Sequence, residues 1–324
     1  MAVELPVEKW SGKISEITIG ATKDDGGTRT STVTIGGQNT LPYLHFEGEM
    51  PHKAAIAMEV LDVLPEDYPE LLKKAFGDAV NNPAEWAKKC VEEYKADLIC
   101  LKLVGTNPEE ADRSPEEAVE TLKSVLEAVG VPLIVYGCGH DEKDAKVLEA
   151  VSNAAKGERL ALGLAEEDRY KSISVAAMSN KHVLVAFSNL DINLAKQMNI
   201  LLTDFDVKLG DIIMDPLQAG LGYGLEYSYS VIERIRIAAL MGDKMLQVPI
   251  VCDAGVSWKA REAHMEDPSL GDPEKRGPFW ETTTAVAALT SGADMLIMKH
   301  PEAVQNVKKV IDDYYESRVD GGEL

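Results

Sequence analysis

The 324-residue chain has few cysteines, and no two of them form a C-x-x-C pair. The spacings of Cys90, Cys100, Cys138 and Cys252 match no zinc or iron–sulfur pattern. Cys100 and Cys252 lie inside apolar, strand-like runs, as small core residues do. Cys138 lies between two glycines, which favours a small residue in a tight turn over a reactive thiol. We therefore expect this chain to hold neither a metal ion nor an iron–sulfur cluster.

Long apolar segments and positive charge are also scarce. No apolar run approaches the roughly 18 residues needed to cross a bilayer, and residues 1–10 lack the apolar core of a signal peptide. The chain has 33 Lys and Arg against 54 Asp and Glu, which gives a net charge of −21. Such a surface repels phosphate backbones and anionic membranes. The sequence predicts a cytoplasmic protein with no nucleic-acid or membrane partner.

Familiar catalytic motifs are absent as well. The sequence contains no G-x-S-x-G, no H-E-x-x-H and no P-loop. His45, His52, His182 and His264 have no partner at metal-ligand spacing. We assign no catalytic residue from these patterns.

The first fifty residues differ from the rest of the chain. Residues 14–19 and 30–35 alternate between apolar and polar side chains, as half-buried strands do. Between them, residues 24–27 read Asp-Asp-Gly-Gly, a strong turn signal. We predict an N-terminal β-hairpin extension over residues 1–50.

From about residue 54, short apolar runs alternate with amphipathic stretches of helical length. Each run is almost continuously apolar, as strands buried on both faces must be. The eight runs are residues 55–61, 98–103, 133–136, 160–164, 183–187, 212–214, 250–252 and 295–298. Eight β/α units in roughly 250 residues match the size of a (β/α)8 TIM barrel. We predict such a barrel over residues 51–320, with a doubly wound sheet as the alternative.

Residues typical of helix N-termini support this alternation of strands and helices. Pro83, Pro115 and Pro301 each occupy a first helical position, which suits proline because that position needs no donor. Ser114 and Glu117 have the spacing of a capping box.

In a TIM barrel, function lies at the carboxyl ends of the strands. Here those ends carry glycines and polar side chains, and each of the polar side chains could instead have a purely structural role. Lys102 could pair with Glu59 or Asp62, Asp215 could cap a turn, and Lys299 could satisfy rim carbonyls.

Residues 257–280 form a long polar insertion after the seventh predicted strand. Trp258, Phe279 and Trp280 lie among charged residues there and are costly to leave in water. Aromatic residues are enriched at protein interfaces, so the insertion predicts a docking surface. The alternative is a loop that folds back onto its own barrel.

Several segments resemble a known family. The N-terminal hairpin and residues 45–49, 214–224, 251–255 and 258–280 resemble the small subunit of the corrinoid/iron–sulfur protein of the acetyl-CoA (Wood–Ljungdahl) pathway in anaerobes. Its archaeal counterpart is the delta subunit of the acetyl-CoA decarbonylase/synthase complex. The resemblance covers nearly the whole chain, and residues 214–224 are its most specific part.

The resemblance implies a TIM barrel in a heterodimer whose large subunit carries the iron–sulfur cluster. A corrinoid would lie between the two subunits, facing the top of the barrel. The pair would accept a methyl group from methyltetrahydrofolate through a separate methyltransferase and deliver it to acetyl-CoA synthase, a step of carbon fixation. The cofactor-binding residues that it points to are Gln218, Gly220, Gly222, Tyr223, Asp253, Gly255, Gly137, Cys138 and Asn189.

Two other functions stay open. The chain could be a pterin-dependent methyltransferase acting on a corrinoid protein, although the second predicted strand ends in Lys102 and Leu103 without an acid–amide pair. It could also be an ordinary barrel enzyme, such as an aldolase that uses Lys102 or Lys299 as a Schiff-base amine.

Overall fold

The eight apolar runs form the parallel strands of a barrel in the computed structural model, which describes residues 6–316. The strands are β1 (Ile17–Ile19), β2 (Val33–Ile35), β3 (Ala55–Leu61), β4 (Leu98–Lys102), β5 (Leu133–Tyr136), β6 (Ala161–Ala165), β7 (Val183–Phe187), β8 (Ile212–Asp215), β9 (Val251–Asp253) and β10 (Met295–Met298). The helices are α1 (Glu70–Phe76), α2 (Pro83–Glu92), α3 (Pro115–Ala128), α4 (Asp141–Ala154), α5 (Tyr170–Asn180), α6 (Ile192–Asp204), α7 (Leu225–Leu240), α8 (Arg261–His264), α9 (Pro273–Ser291) and α10 (Pro301–Glu316).

The eight barrel strands run in the order β8-β7-β6-β5-β4-β3-β10-β9, with parallel pairing throughout. The two end strands meet through a parallel bridge between Met214 and Ile250, and the Met214 amide donates to the Pro249 carbonyl at 2.9 Å. This contact brings the sheet round to near closure. The predicted (β/α)8 TIM barrel is confirmed, and the doubly wound alternative is wrong.

The predicted helix starts are also present. The Asn82 side chain accepts from the amides of Ala84 and Glu85 at the start of α2. At the start of α3, Ser114 and Glu117 form the reciprocal capping box. These contacts satisfy amides that the first helical turn leaves without partners.

The N-terminal hairpin closes the amino end of the barrel. β1 and β2 pair antiparallel, as predicted, but each has only three residues. Ile17, Ile19 and Ile35 are buried in one cluster with Ala55 and Leu98, which begin barrel strands. The hairpin therefore completes the core of the barrel, whereas its sequence had not suggested that role.

Two buried polar networks attach the N-terminal segment to the barrel. Arg29, which is 4% exposed, donates to Glu158 at 2.8 Å and to the Val129 carbonyl at 2.6 Å. Gln38 and Arg236 both donate to Asp294, at 2.5 and 2.6 Å. Because these buried charges are paired, they hold the segment in one position on the barrel. Removing one partner would leave the other buried and unpaired, which would lower the stability of the fold.

Among residues 6–316, no helix is both long and apolar enough to cross a membrane. The cytoplasmic location stays a prediction, as does the division of the chain at residue 50. The last part of the predicted barrel range, residues 317–320, lies outside the described residues.

Candidate functional site

A cavity of about 890 Å³ opens at the carboxyl ends of the barrel strands. Its floor consists of side chains from the last residues of β4, β8 and β9, namely Lys102, Asp215 and Asp253, together with Glu59 from within β3. The opposite end of the barrel is covered by the hairpin. The cavity therefore lies where this fold places its functional groups.

A charge network occupies the floor. The Lys102 ammonium lies 2.6 Å from both Glu59 and Asp253, and the Lys299 ammonium lies 3.1 Å from Glu59. Burial would raise the pKa of Glu59, but the two lysines outweigh it and lower that pKa to about 2. Burial would lower the pKa of Lys102, but Asp253 and Glu59 outweigh it and raise that pKa well above the usual range. A lysine held protonated is a poor Schiff-base nucleophile, which argues against the aldolase hypothesis for Lys102.

Asp215 differs from its neighbours because it has no cation of its own. Burial raises the pKa of this carboxyl to about 7, and the nearby Asp253 charge adds to the shift. The Leu217 amide, which donates to the carboxyl at 3.0 Å, opposes the shift. Lys102 offsets only part of this effect because its ammonium contacts Glu59 and Asp253. The predicted turn contact of Asp215 is confirmed, and the carboxyl also lines the cavity.

Five further polar atoms of cavity-lining residues lack a hydrogen-bond partner in residues 6–316. They are Oδ1 of Asp253, Oε1 of Gln218, the hydroxyls of Tyr68 and Tyr136, and Nε of Arg169. Gln218 is 2% exposed, and its amide nitrogen donates to the Ala219 carbonyl at 2.7 Å. Unpaired buried acceptors are unfavourable and call for a donor that the described chain does not supply.

The turn after β5 is held by Asp144. The carboxylate of this α4 residue accepts from the amides of Cys138 at 2.8 Å and Gly139 at 2.9 Å. A Cβ on Gly137 would lie 2.2 Å from it, which explains the glycine. These backbone amides are therefore already used within the chain, although Gly137 and Cys138 do line the cavity.

The loop between β8 and α7 forms one side of the rim. A Cβ on Gly220 would lie 2.8 Å from Ser257 Cα, so Gly220 allows the loop to pack against the insertion. Gly222 has a left-handed φ of 73° and faces Trp280. Tyr223 is 67% exposed.

The insertion after β9 folds back onto the barrel, as the alternative to a docking surface predicted, and both tryptophans make hydrogen bonds within the chain. Trp258 is 3% exposed, stacks on His300 and donates to Glu281 at 2.8 Å. Trp280 donates to the Leu221 carbonyl at 2.8 Å. Helix α9 and the β8–α7 loop thus provide the polar partners that the indoles need. Phe279 remains exposed.

Glu281 is a buried residue beside the site that the sequence analysis missed. Besides Trp258, it accepts from the backbone amides of Lys299 and His300, at 2.5 and 2.9 Å. Burial raises its pKa to about 7, against these hydrogen bonds. In the sequence, Glu281 looks like any other glutamate within a helix. Only its contacts in the folded structure distinguish it.

The predicted cofactor residues fall into three groups in the structure. Gln218, Asp253, Gly137 and Cys138 line the cavity. Gly220 and Gly255 are packing positions, since a Cβ on Gly255 would lie 2.8 Å from the Lys299 side chain. Gly222, Tyr223 and Asn189 lie exposed at the rim.

Fold and site together define a (β/α)8-barrel protein that has a cavity with a charged floor at the carboxyl end and a hairpin at the amino end. A family model, the CO dehydrogenase/acetyl-CoA synthase delta subunit, matches residues 16–267. The delta subunit of the acetyl-CoA decarbonylase/synthase complex from Archaeoglobus fulgidus is 42% identical, over 97% of this chain and 71% of that one. The Methanopyrus kandleri delta subunit is 40% identical, over 96% and 77%. The chain belongs to this delta-subunit family, as its resemblance predicted.

Solved structures with the same architecture include dihydropteroate synthases. The Xanthomonas albilineans enzyme in complex with 7,8-dihydropteroate superposes with a TM-score of 0.57 at 14% identity, over 86% of this chain and 99% of that one. The Thermus thermophilus enzyme gives 0.54 at 15% identity, over 86% and 100%. At these identities the likeness shows the fold alone.

Proposed function

We propose that the chain is the small, non-catalytic subunit of a heterodimeric corrinoid methyl carrier. In this proposal the rim at the carboxyl end of the barrel covers a corrinoid held by a large subunit that also bears the iron–sulfur cluster. Membership of the delta-subunit family supports a role within a multisubunit complex. A cytoplasmic location is part of the same proposal.

The observation that carries the proposal is the aromatic surface at the rim. Tyr223 and Tyr227 are 67% and 64% exposed, and Phe279 is 57% exposed beside Trp280, which bonds to the loop of Tyr223. Exposed aromatic clusters on a chain of net charge −21 mark places where apolar surface is covered by a partner. A broad, largely apolar ring with an amide fringe fits such a surface.

The rim suits the ring better than the cavity does. A corrin is broad and flat, whereas the cavity narrows to the charged floor at Glu59 and Lys102. We therefore narrow the ring contacts to Gly222, Tyr223 and Asn189, with van der Waals contact at Gly139, where a Cβ would meet nothing within 4 Å and whose amide already donates to Asp144.

The corrinoid would supply the cobalt that carries the methyl group between methyltetrahydrofolate, acting through its methyltransferase, and acetyl-CoA synthase. This chain's own contribution is to shield one face of the ring and to orient it. The rim offers both functions, because its aromatic side chains exclude water and α9 holds the insertion rigidly through Glu281.

Co-expression with the corrinoid-binding subunit tests the proposal. We expect one heterodimer on gel filtration, with corrinoid absorbance and about one cobalt per dimer. Tyr223→Ala should lower the cobalt retained after washing severalfold, whereas Met241→Ala should leave it unchanged, since Met241 is 71% exposed at the far end of α7. Separate monomers, or equal cobalt retention in both variants, would contradict the proposal. Gly222→Leu is a poorer probe, because its φ of 73° strains any side chain.

A further inference from the structure

The amino end of the barrel carries a surface whose charge differs from that of the rest of the chain. The chain has 54 Asp and Glu and a net charge of −21. Its two longest stretches without an acidic residue are residues 26–46 and 169–190. Both stretches line one pocket of about 580 Å³ beside the hairpin, through Thr32 from the first and Lys181 from the second. Folding therefore brings the acid-free parts of the sequence together at one place.

Three cations line this pocket. Lys156 and Arg159 lie between α4 and β6, and Lys181 follows α5. The two lysines are exposed, and neither has an ion pair among residues 6–316. The pocket has one acid, Asp25, whose carboxylate already accepts from the amide and the hydroxyl of Thr22. Two ammonium groups are therefore available to an anionic partner from outside the chain.

Arg159 gives the pocket a fixed wall. Its guanidinium donates to the carbonyls of Thr18 and Lys181, at 2.8 and 3.2 Å, and to the Asp211 carboxylate at 2.8 Å. Because Asp211 offsets the charge of Arg159, the unpaired positive charge comes from the two lysines. These lysines also suit the negative ends of the α4 and α5 helix dipoles. That role alone requires no apolar surface beside them.

An apolar surface does border the lysines. Val175 and Met178 lie on α5 and are 51% and 37% exposed. Val175 comes four residues before Ser179, which lines the pocket, so both lie on the same face of the helix. Helix α5 contains no acidic residue, and its exposed face also carries Lys171. Exposed aliphatic side chains beside cations favour a polypeptide over a small inorganic anion, because an ion would leave the apolar surface in water.

We propose that Lys156, Lys181, Val175 and Met178 form a basic–apolar surface that docks an acidic segment of a second protein. Carboxylates of the segment bind the two lysines, and an aliphatic side chain of the segment covers Val175 and Met178. A nucleic acid fits less well, because the acidic remainder of the chain repels a long polyanion. The pocket lies at the amino end of the barrel and the corrinoid is assigned to the carboxyl end, so either proposal can fail without the other.

Calorimetric titration of the purified full chain with synthetic peptides tests the surface. The probe is acetyl-EELEELEE-amide, in which carboxylates flank two leucines. We expect 1:1 binding that weakens severalfold when the salt is raised from about 0.05 M to about 0.3 M, because salt screens exposed charges. The analogue acetyl-EEQEEQEE-amide should bind about fivefold more weakly, since it lacks the apolar contact. The analogue acetyl-KKLKKLKK-amide should not bind.

Charge reversal connects the binding to the two lysines. The double variant Lys156→Glu/Lys181→Glu should weaken probe binding at least about tenfold, because attraction becomes repulsion. Lys123→Glu/Lys309→Glu is the matched control, since it changes the net charge equally and both lysines are exposed, on α3 and α10. Val175→Gln should weaken binding of the leucine peptide and leave binding of the glutamine peptide unchanged.

Three results would overturn the proposal directly. They are no binding of the leucine peptide at millimolar concentration, equal affinity in the charge-reversal and control variants, and equal binding of the leucine and glutamine peptides. Inorganic phosphate that displaces the peptide at the same concentration would show a small-anion site instead. Self-association in sedimentation velocity that only the charge-reversal variant loses would show a second copy of the chain on this surface. Either result would contradict an acidic segment of a second protein.

Discussion

Asp215 is a buried acid at the mouth of the barrel with a raised pKa. Its carboxyl is buried, and the lysine nearest to it is shared between Glu59 and Asp253. The chain therefore places an acid with a pKa of about 7 next to acids that stay ionised at neutral pH, such as Glu59, with a pKa of about 2. Different environments thus give two carboxyls of the same cavity very different pKa values.

The raised pKa of Asp215 predicts a pH dependence of stability. Its folded pKa of about 7 exceeds the ordinary value of 3.8, so its favourable contribution is complete below pH 3.8 and is lost as pH rises through about 7. Asp215→Asn removes this titration and can keep the contact with the Leu217 amide. We expect the variant to lose less free energy of unfolding than the parent chain between about pH 5 and pH 8. Urea unfolding at several pH values measures this, and parallel pH profiles of the two proteins would contradict the assignment.

At the same scale, sequence reasoning found some partners and missed others. The pairing of Lys102 with Glu59 follows from neighbouring strand ends and is confirmed. Its second partner, Asp253, comes from a strand about 150 residues further on. The carboxylates of Asp144 and Glu281 lie on helices, and nothing in the local pattern shows that they accept from backbone amides of the neighbouring turns. Such contacts depend on tertiary placement and have no signal along the chain.

At the scale of elements, periodicity predicted the barrel strands to within about one residue at most ends, because strands buried on both faces carry a strong apolar signal. The insertion was harder to predict. Its charged residues suggested an exposed loop, but Glu281 in α9 accepts from the Trp258 indole, and the Leu221 carbonyl in the β8–α7 loop accepts from the Trp280 indole. A tryptophan in a polar segment can be buried as soon as its N–H finds an acceptor.

The sequence also did not indicate that the hairpin packs onto the barrel. Its anchoring contact leads to a prediction about stability. Arg29 anchors it to Glu158, whose side chain is 9% exposed. Arg29→Met leaves that carboxylate buried and unpaired, so we expect a loss of about 3–5 kcal/mol in the free energy of unfolding. Adding Glu158→Gln removes the uncompensated charge and should restore much of the loss. Denaturant unfolding of the single and double variants checks both values.

Lys53→Met is a suitable control, because its ion pair with Asp312 joins two side chains that are 51% and 55% exposed and should contribute little. A loss below about 0.5 kcal/mol for Arg29→Met would mean that the hairpin is not anchored by this pair.

At the scale of the whole molecule, the two ends of the barrel have different tasks. The amino end is closed by the chain's own hairpin, with Ile17, Ile19 and Ile35 buried against the strands. The carboxyl end has a cavity and an exposed aromatic rim. The account therefore assigns the partner subunit and the corrinoid to the carboxyl end.

Amide hydrogen exchange of the chain, alone and in complex with the co-expressed corrinoid-binding subunit, tests this assignment most directly. The account predicts slower exchange on assembly in residues 217–224, in the loop that follows Phe187 and in the turn at Gly139, with no change in β1 and β2. Protection confined to the hairpin end, with an unchanged rim in an assembled complex, would contradict it.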